Sequence, residues 1–296
     1  MNPDRIRNSI AIILQLSKLK ITVAVSLTTF TGYILAGGKF NLGFVPVTLG
    51  IFLLACAASV MNHIQEQRTD ALMQRTHNRP LPSGKVSTRW ALVLFVSELI
   101  TGILILIYSG NILALYLGFT ALIWYNLIYT YLKRITPHAV IPGSVIGAIP
   151  PLAGWVAAGG SLVDIHAWAM ALFFFMWQVP HFYLLVMKYG QQYQKAGMPS
   201  LTGKYDDRMI RLMIFLWIVA TGLSALLLFY FELVYSLVGL VIITLASLLI
   251  IGVFLIPLIR RDIIFRPFRY FMRINYYVLV VVVMLVMDRF FVLYLA

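Results

Sequence analysis

Between Asn62 and Gly84 the chain carries a set of side chains suited to holding a metal and a polyanion. Asn62, Glu66 and Asp70 stand four residues apart, and no proline interrupts the segment before Pro80. If that stretch is helical, the three share one face, each about 6 Å above the last. Two carboxylates and an amide oxygen are hard ligands of the kind magnesium takes, usually one or two carboxylates together with substrate phosphates. Arg75 and Arg79 follow, again four apart, and then Lys85. Guanidinium groups match phosphate oxygens in bidentate fashion. The plain alternative is a solvated helix end laced by i, i+4 ion pairs. Asn-x3-Glu-x3-Asp alone does not decide between them; joined to Arg-Thr-x2-Arg-Pro-Leu-Pro-x-Gly it becomes specific.

The elements that must position these groups are membrane helices. Of 296 residues 61% are hydrophobic and 11% charged, against about a quarter charged in water-soluble globules. Nine apolar runs approach the roughly 20 residues that cross a bilayer as a helix. Their approximate spans are 21–36, 42–61, 90–108, 112–132, 139–158, 165–187, 210–230, 233–259 and 271–295. The expectation is an all-α, polytopic membrane protein of one domain, residues 1–296, with nine transmembrane helices. The basic N-terminus lacks a small-residue cleavage site after a short apolar core, so the first span is expected to be retained. Gly143 and Gly147, four apart, would let helices approach closely. The single cysteine, Cys56, excludes a disulfide framework or a cysteine metal cluster.

The formal charge of +13 raises nucleic acid as a partner, but the basic residues alternate between faces. All except Lys39 and Arg289 fall in the N-terminal segment and the second, fourth, sixth and eighth connections with their flanks, Arg260 and Arg261 among them. Lysine and arginine mark cytoplasmic loops, so the N-terminus is expected in the cytoplasm and the C-terminus outside. The charge is then topology first and an anionic substrate second, with no nucleic acid. The longer polar segments, including 62–89 and 188–208, all lie on that basic face, which makes it the working surface.

Polar side chains within spans are costly and point to function. His181 lies seven residues before Lys188, roughly 10 Å below the basic surface. Pro180 beside it frees the carbonyl of Met176 and should kink the helix. Asn126 sits at similar depth, Glu98 deeper, and Gln178 shares the helix with His181. Hydrogen bonding between helices is the ordinary use of such residues; lining an acceptor pocket is the functional one. Most aromatic residues of 124–131 and 173–177 are expected to pack the bundle, some to line a cavity and shield a cation.

The 62–84 segment resembles the first signature of the UbiA superfamily of intramembrane prenyltransferases. Asn62, Glu66 and Asp70 meet its Asn-x3-Asp/Glu-x3-Asp, and Met73, Arg75, Thr76, Arg79, Pro80 and Leu81 its following run. Further matches are SKLKIT at 17–22, YLKRITPHAVIPGSVIGAIPPLAGW at 131–155, WQVPHF at 177–182 and AGMPSL at 196–201. The last two are similar to the haem-modifying branch. The resemblance implies a UbiA-type bundle in the cell inner membrane, its site opening to the cytoplasm. It implies Mg2+ held by Asn62, Glu66 and Asp70, with Arg75, Arg79, Lys133 and Lys188 neutralising the diphosphate. It also implies farnesyl diphosphate as donor and protohaem IX (haem b) as acceptor substrate, giving haem O for haem-copper oxidases. Asn126, Gln178, His181, Tyr193 and Glu98 would serve the acceptor. His181 could bind iron, hydrogen-bond a propionate or steer the water that ends the reaction. Hand-over to a downstream haem-modifying enzyme, or self-association, is a further implied partnership.

One departure stands out. Where the branch commonly has an acidic pair before the tyrosine matched by Tyr193, this chain has Gln191 and Gln192, poorer magnesium ligands. Asp206 and Asp207 are expected mainly to cap the next helix. One firmly held magnesium is therefore expected. The rival readings are a prenyltransferase for an aromatic quinone precursor, and a transporter or lipid-binding membrane protein.

Overall fold

A computed structural model describes residues 3–260 and 263–294; Arg261 and Leu295, named above, lie outside the described residues. All regular structure among them is helical: α1 Pro3–Leu16, α2 Leu19–Leu35, α3 Phe44–Gln65, α4 Gln67–Ala71, α5 Thr88–Tyr108 and α6 Ile112–Leu132. Then come α7 Pro137–Ala157, α8 Ile165–Lys195, α9 Leu201–Lys204, α10 Asp207–Tyr230, α11 Leu237–Ile259 and α12 Pro267–Tyr294. Eight of these are long and apolar enough to cross a membrane. A ninth crossing arises if Arg7–Leu16 and Leu19–Leu35, bent by 57°, form one broken span. The structure thus offers eight or nine crossings against the nine expected; the expected first run, 21–36, is α2, and the helix that precedes it across the bend, α1, is not among the expected spans.

Burial follows the inverted logic of a bilayer. Leu248 and Leu249 of α11 are 62% and 67% exposed, an arrangement that would be costly in water and is favourable against lipid. The interior belongs to α2, α3, α7 and α8. There α2 and α7 cross so closely that a Cβ on Gly32 would stand 1.9 Å from the Pro151 carbonyl oxygen, and one on Gly154 1.8 Å from that of Thr29. Gly143 and Gly147 also permit close approach: their missing Cβ atoms leave room for the Tyr129 ring and the Gln178 side chain.

Pro180 lies inside α8 without ending it. The Met176 carbonyl that it leaves without a helical donor lies 3.0 Å from the Thr221 hydroxyl of α10. The helix therefore runs on past the expected membrane boundary to Lys195. A second irregularity is a π-helical stretch within α6, Trp124–Tyr129. It releases the Asn126 carbonyl to accept from Gln65 Nε2 of α3 at 3.2 Å, and such bulges recur at functional sites.

Candidate active site

The helix carrying Asn62 does continue beyond the apolar core. It breaks at Glu66, φ −102°, and resumes as α4, yet the amides of Glu66 and Asp70 still bond the carbonyls of Asn62 and Glu66 at 3.0 and 2.7 Å. Asn62, Glu66 and Asp70 thus share a face, and all three are buried. Buried charge must be paired, and each of the three residues has its own cation. Lys18 Nζ donates to Asn62 Oδ1 at 2.8 Å. Lys133 forms an ion pair with Glu66. Arg79 Nη1 donates to Asp70 Oδ2 at 2.7 Å. Burial alone would push the Glu66 carboxyl up; the Lys133 ammonium outweighs it and holds the group below the usual carboxylate range. Among the described residues, buried Asp70 Oδ1 has no partner.

The surroundings hold this row in place. Tyr125 OH donates to Asn62 Oδ1 at 3.0 Å, Asn62 Nδ2 donates to Thr130 Oγ1 at 3.2 Å, and Thr130 Oγ1 donates to the Tyr125 carbonyl at 2.9 Å. The π-helical turn supplies Tyr125, so the irregularity in α6 faces the row of oxygens. The loop after α4 folds back because Met73 and Leu81 are buried and Thr76 Oγ1 donates to the Asp70 carbonyl. That turn returns Arg79 to Asp70, nine residues earlier.

Gln192 accepts from the Arg75 backbone amide at 3.1 Å, and the Arg75 guanidinium stacks on Tyr189 at 4.4 Å. The second loop is thereby tied to the first. Lys188 lies over Tyr189 and, at 3.7 Å, over Phe268. Asp206 caps α10, accepting from the Met209 amide at 2.8 Å, as the sequence leads one to expect.

From Tyr125 a line of rings leads into the bundle. Tyr125 and Tyr129 stack at 5.9 Å, Tyr129 and Phe182 at 5.9 Å, and Phe182 meets His181 at 5.7 Å. His181 packs against Trp177 and Phe271, and its Nδ1 pairs with Asn275 Oδ1 of α12 at 2.9 Å. A carbonyl oxygen only accepts, so Nδ1 carries a proton, and in the neutral imidazole Nε2 then keeps its lone pair. The indole N–H of Trp177 is buried without a partner.

The structure brings most of the expected residues toward this line but not all. Gln178 packs over Gly147, and Tyr193 is half-buried near the end of α8. The Asn126 side chain donates to its own helix at Leu122, leaving Oδ1 buried and unpaired. Glu98 accepts instead from Ser17 Oγ at 2.7 Å. Sequence reasoning gave no role to Lys18 or Asn275 and did not single out Tyr125 from its aromatic neighbours. Lys18 sat within the SKLKIT match; Asn275 had no signal beyond a polar residue in an apolar run.

The UbiA prenyltransferase family matches residues 25–277, and the chain belongs to that family. It is 32% identical to the protoheme IX farnesyltransferase of Oleidesulfovibrio alaskensis over 93% of this chain and 95% of that one. It is 41% identical to the protoheme IX farnesyltransferase of Alkalilimnicola ehrlichii over 70% and 69% of the two chains. Among solved structures, a digeranylgeranylglyceryl phosphate synthase superposes with a TM-score of 0.75 at 19% identity, covering 95% of this chain and 99% of that one. A UbiA homolog from Archaeoglobus fulgidus bound to DMAPP and Mg2+ superposes with a TM-score of 0.63 at 15% identity, over 96% and 99%. The structural likenesses establish the fold.

Proposed function

We propose that this chain transfers the farnesyl group of farnesyl diphosphate to a vinyl group of protohaem IX, giving haem O. The observation that carries the reading is the line of rings joining a row of cation-paired oxygens to a neutral histidine pocket, in a chain whose relatives bear the name protoheme IX farnesyltransferase. One end suits a diphosphate and the other a flat, lipophilic acceptor. The whole chain acts as one domain.

The donor set fits magnesium: hard oxygens, buried, with Asp70 Oδ1 uncommitted. Asn62, Glu66 and Asp70 would hold it, and bound there with the diphosphate it would supply Lewis-acid charge neutralisation for departure of the leaving group. Lys18, Lys133 and Arg79 exchange their oxygen partners for diphosphate oxygens, and Arg75 joins them. The cations thus neutralise the chain's own carboxylates at rest and the leaving group in the reaction. The Tyr125, Tyr129 and Phe182 rings face the developing allylic cation and exclude water. The C1–O bond of the donor breaks with its electron pair going to diphosphate, and the vinyl carbon forms the new C–C bond. Water then adds to the resulting cation beside the porphyrin, its proton passing to a base. His181, with Nε2 unprotonated and oriented by Asn275, serves the acceptor end.

Gln191 and Gln192 leave the oxygens of α3 and α4 as the principal metal ligands, so one magnesium is firmly held. We further assign the basic face, with the N-terminus and the 62–89 segment, to the cytoplasmic side of the inner membrane, from the lysine and arginine distribution.

Purified protein in lipid nanodiscs, given farnesyl diphosphate, Mg2+ and haem b, should yield a haem heavier by one farnesyl group and one hydroxyl. The same assay with an aromatic quinone-precursor acid should yield no prenylated product. Prenylation of the acid with none of the haem would overturn the assignment of acceptor.

A further inference from the structure

Ser17 and Lys18 are the two residues between α1 and α2, at the 57° bend. Lys18 is left-handed there, φ 47°, ψ 52°. That conformation ordinarily falls to glycine or asparagine, because a Cβ crowds the backbone. A lysine persists in it only where its surroundings over-determine the geometry. Four long-range hydrogen bonds do so. Ser59 Oγ donates to the Leu16 carbonyl at 2.8 Å, Ser17 Oγ donates to Glu98 Oε1 at 2.7 Å, and Lys18 Nζ reaches Asn62 Oδ1 at 2.8 Å and Tyr125 OH at 3.2 Å. Glu98 is the costly member. It is an acid within a membrane-crossing helix, its Oε2 buried without a partner, and its one bond goes to the elbow. Packing alone would be served better by an apolar residue of similar size.

We propose that Glu98, acting through Ser17, is a positioning residue that holds the α1–α2 elbow in the geometry from which the Lys18 ammonium reaches the Asn62 end of the site. The inference rests on reading Asn62, Glu66 and Asp70 as the diphosphate end. With the elbow released, Lys18 relaxes toward an ordinary helical or extended conformation, and its ammonium is withdrawn from Asn62 and from any anion bound there.

The test is calorimetric binding of inorganic diphosphate, with Mg2+, to the full-length protein in detergent. Wild type should bind; if it does not, the reading of the diphosphate end fails and this inference with it. Glu98→Leu and Ser17→Ala should each weaken binding about tenfold, the value of one charge-assisted hydrogen bond. Glu98→Gln still offers Ser17 an oxygen and should bind as wild type does. Lys18→Met should also weaken binding, and adding Glu98→Leu to it should cost nothing more, because the two act through one contact. Wild-type affinity in both Glu98→Leu and Ser17→Ala, or additive losses in the double variant, would overturn the proposal while leaving the site reading intact. Ser17→Ala removes one oxygen and little volume, so it carries the test if Glu98→Leu does not fold.

Discussion

The two ends of the aromatic line solve opposite problems. Asn62, Glu66 and Asp70 stand one turn apart, and each residue is matched by a cation from elsewhere in the chain. At His181 the partners are neutral, an asparagine oxygen and apolar rings, with a buried indole N–H left over. On the proposed reading, the first end exchanges charge partners when its ligands arrive, and the second keeps charge out and offers one oriented lone pair. The difference teaches where the cost of burial falls. Charge is tolerated near the basic face because counter-charges surround it, and is avoided deeper, where it would have none.

The largest break in this comparison should come from Asp70→Asn. It neutralises a carboxylate of the row whose second oxygen is uncommitted, and farnesyl transfer should fall by about 10³-fold or more, as expected when the metal that would neutralise the leaving group loses a ligand. The protein should stay folded, because the amide oxygen can still accept from Arg79. Diphosphate release read alongside the melting temperature checks both halves, and activity near wild type would remove Asp70 from the metal set.

Next in size is the acceptor end. Asn275→Leu leaves His181 Nδ1 without its acceptor, and haem farnesylation should drop by about 10 to 100-fold, the range seen when an orienting partner of a functional histidine is lost. Asn275→Asp should restore most of it. Binding of Mg2+ and diphosphate should be unchanged in both; a parallel loss there would mean that the two ends are not separable.

Metal removal sharpens the contrast from the other side. Because every ligand oxygen row position already has a cation, a chelator should abolish transfer while moving the melting temperature little. For the same reason Mg2+ alone should bind weakly and diphosphate should strengthen it, since the displaced cations need an anion. Titrations with and without inorganic diphosphate that gave equal magnesium affinity would contradict the exchange of partners.

The smallest expected effect is Tyr125→Phe. It deletes the hydrogen bond to Asn62 and the longer one accepted from Lys18, keeping the ring and the direct Lys18–Asn62 contact, so the loss should be about 1 kcal/mol, several-fold in the farnesyl diphosphate KM. A loss as large as that of Asp70→Asn would show the hydroxyl to be part of the chemistry.

Much of the charged end was legible in advance, because a four-residue repeat on a helix puts side chains on one face whatever the helix packs against. The continuation past Gln65 and the capping role of Asp206 followed from the same local rules. Glu98 did not: its depth in a span suggested a pocket, and it turned out to face Ser17. Gln191 and Gln192 could be recognised as a departure, but not that Gln192 fastens the second loop to Arg75.

By itself the sequence determined the apolar runs from 21–36 onward, the clustering of basic residues in alternate connections, and the row of oxygens. These depend on periodicity and composition, which are local. Only the tertiary structure decided which cation meets which oxygen, that Lys18 arrives from 44 residues away in a left-handed turn, and that His181 is oriented by an asparagine 94 residues on. Those pairings depend on how helices cross, and crossing is set by close approaches such as Gly32 against Pro151 and by the bulge in α6, whose outcomes no single helix contains.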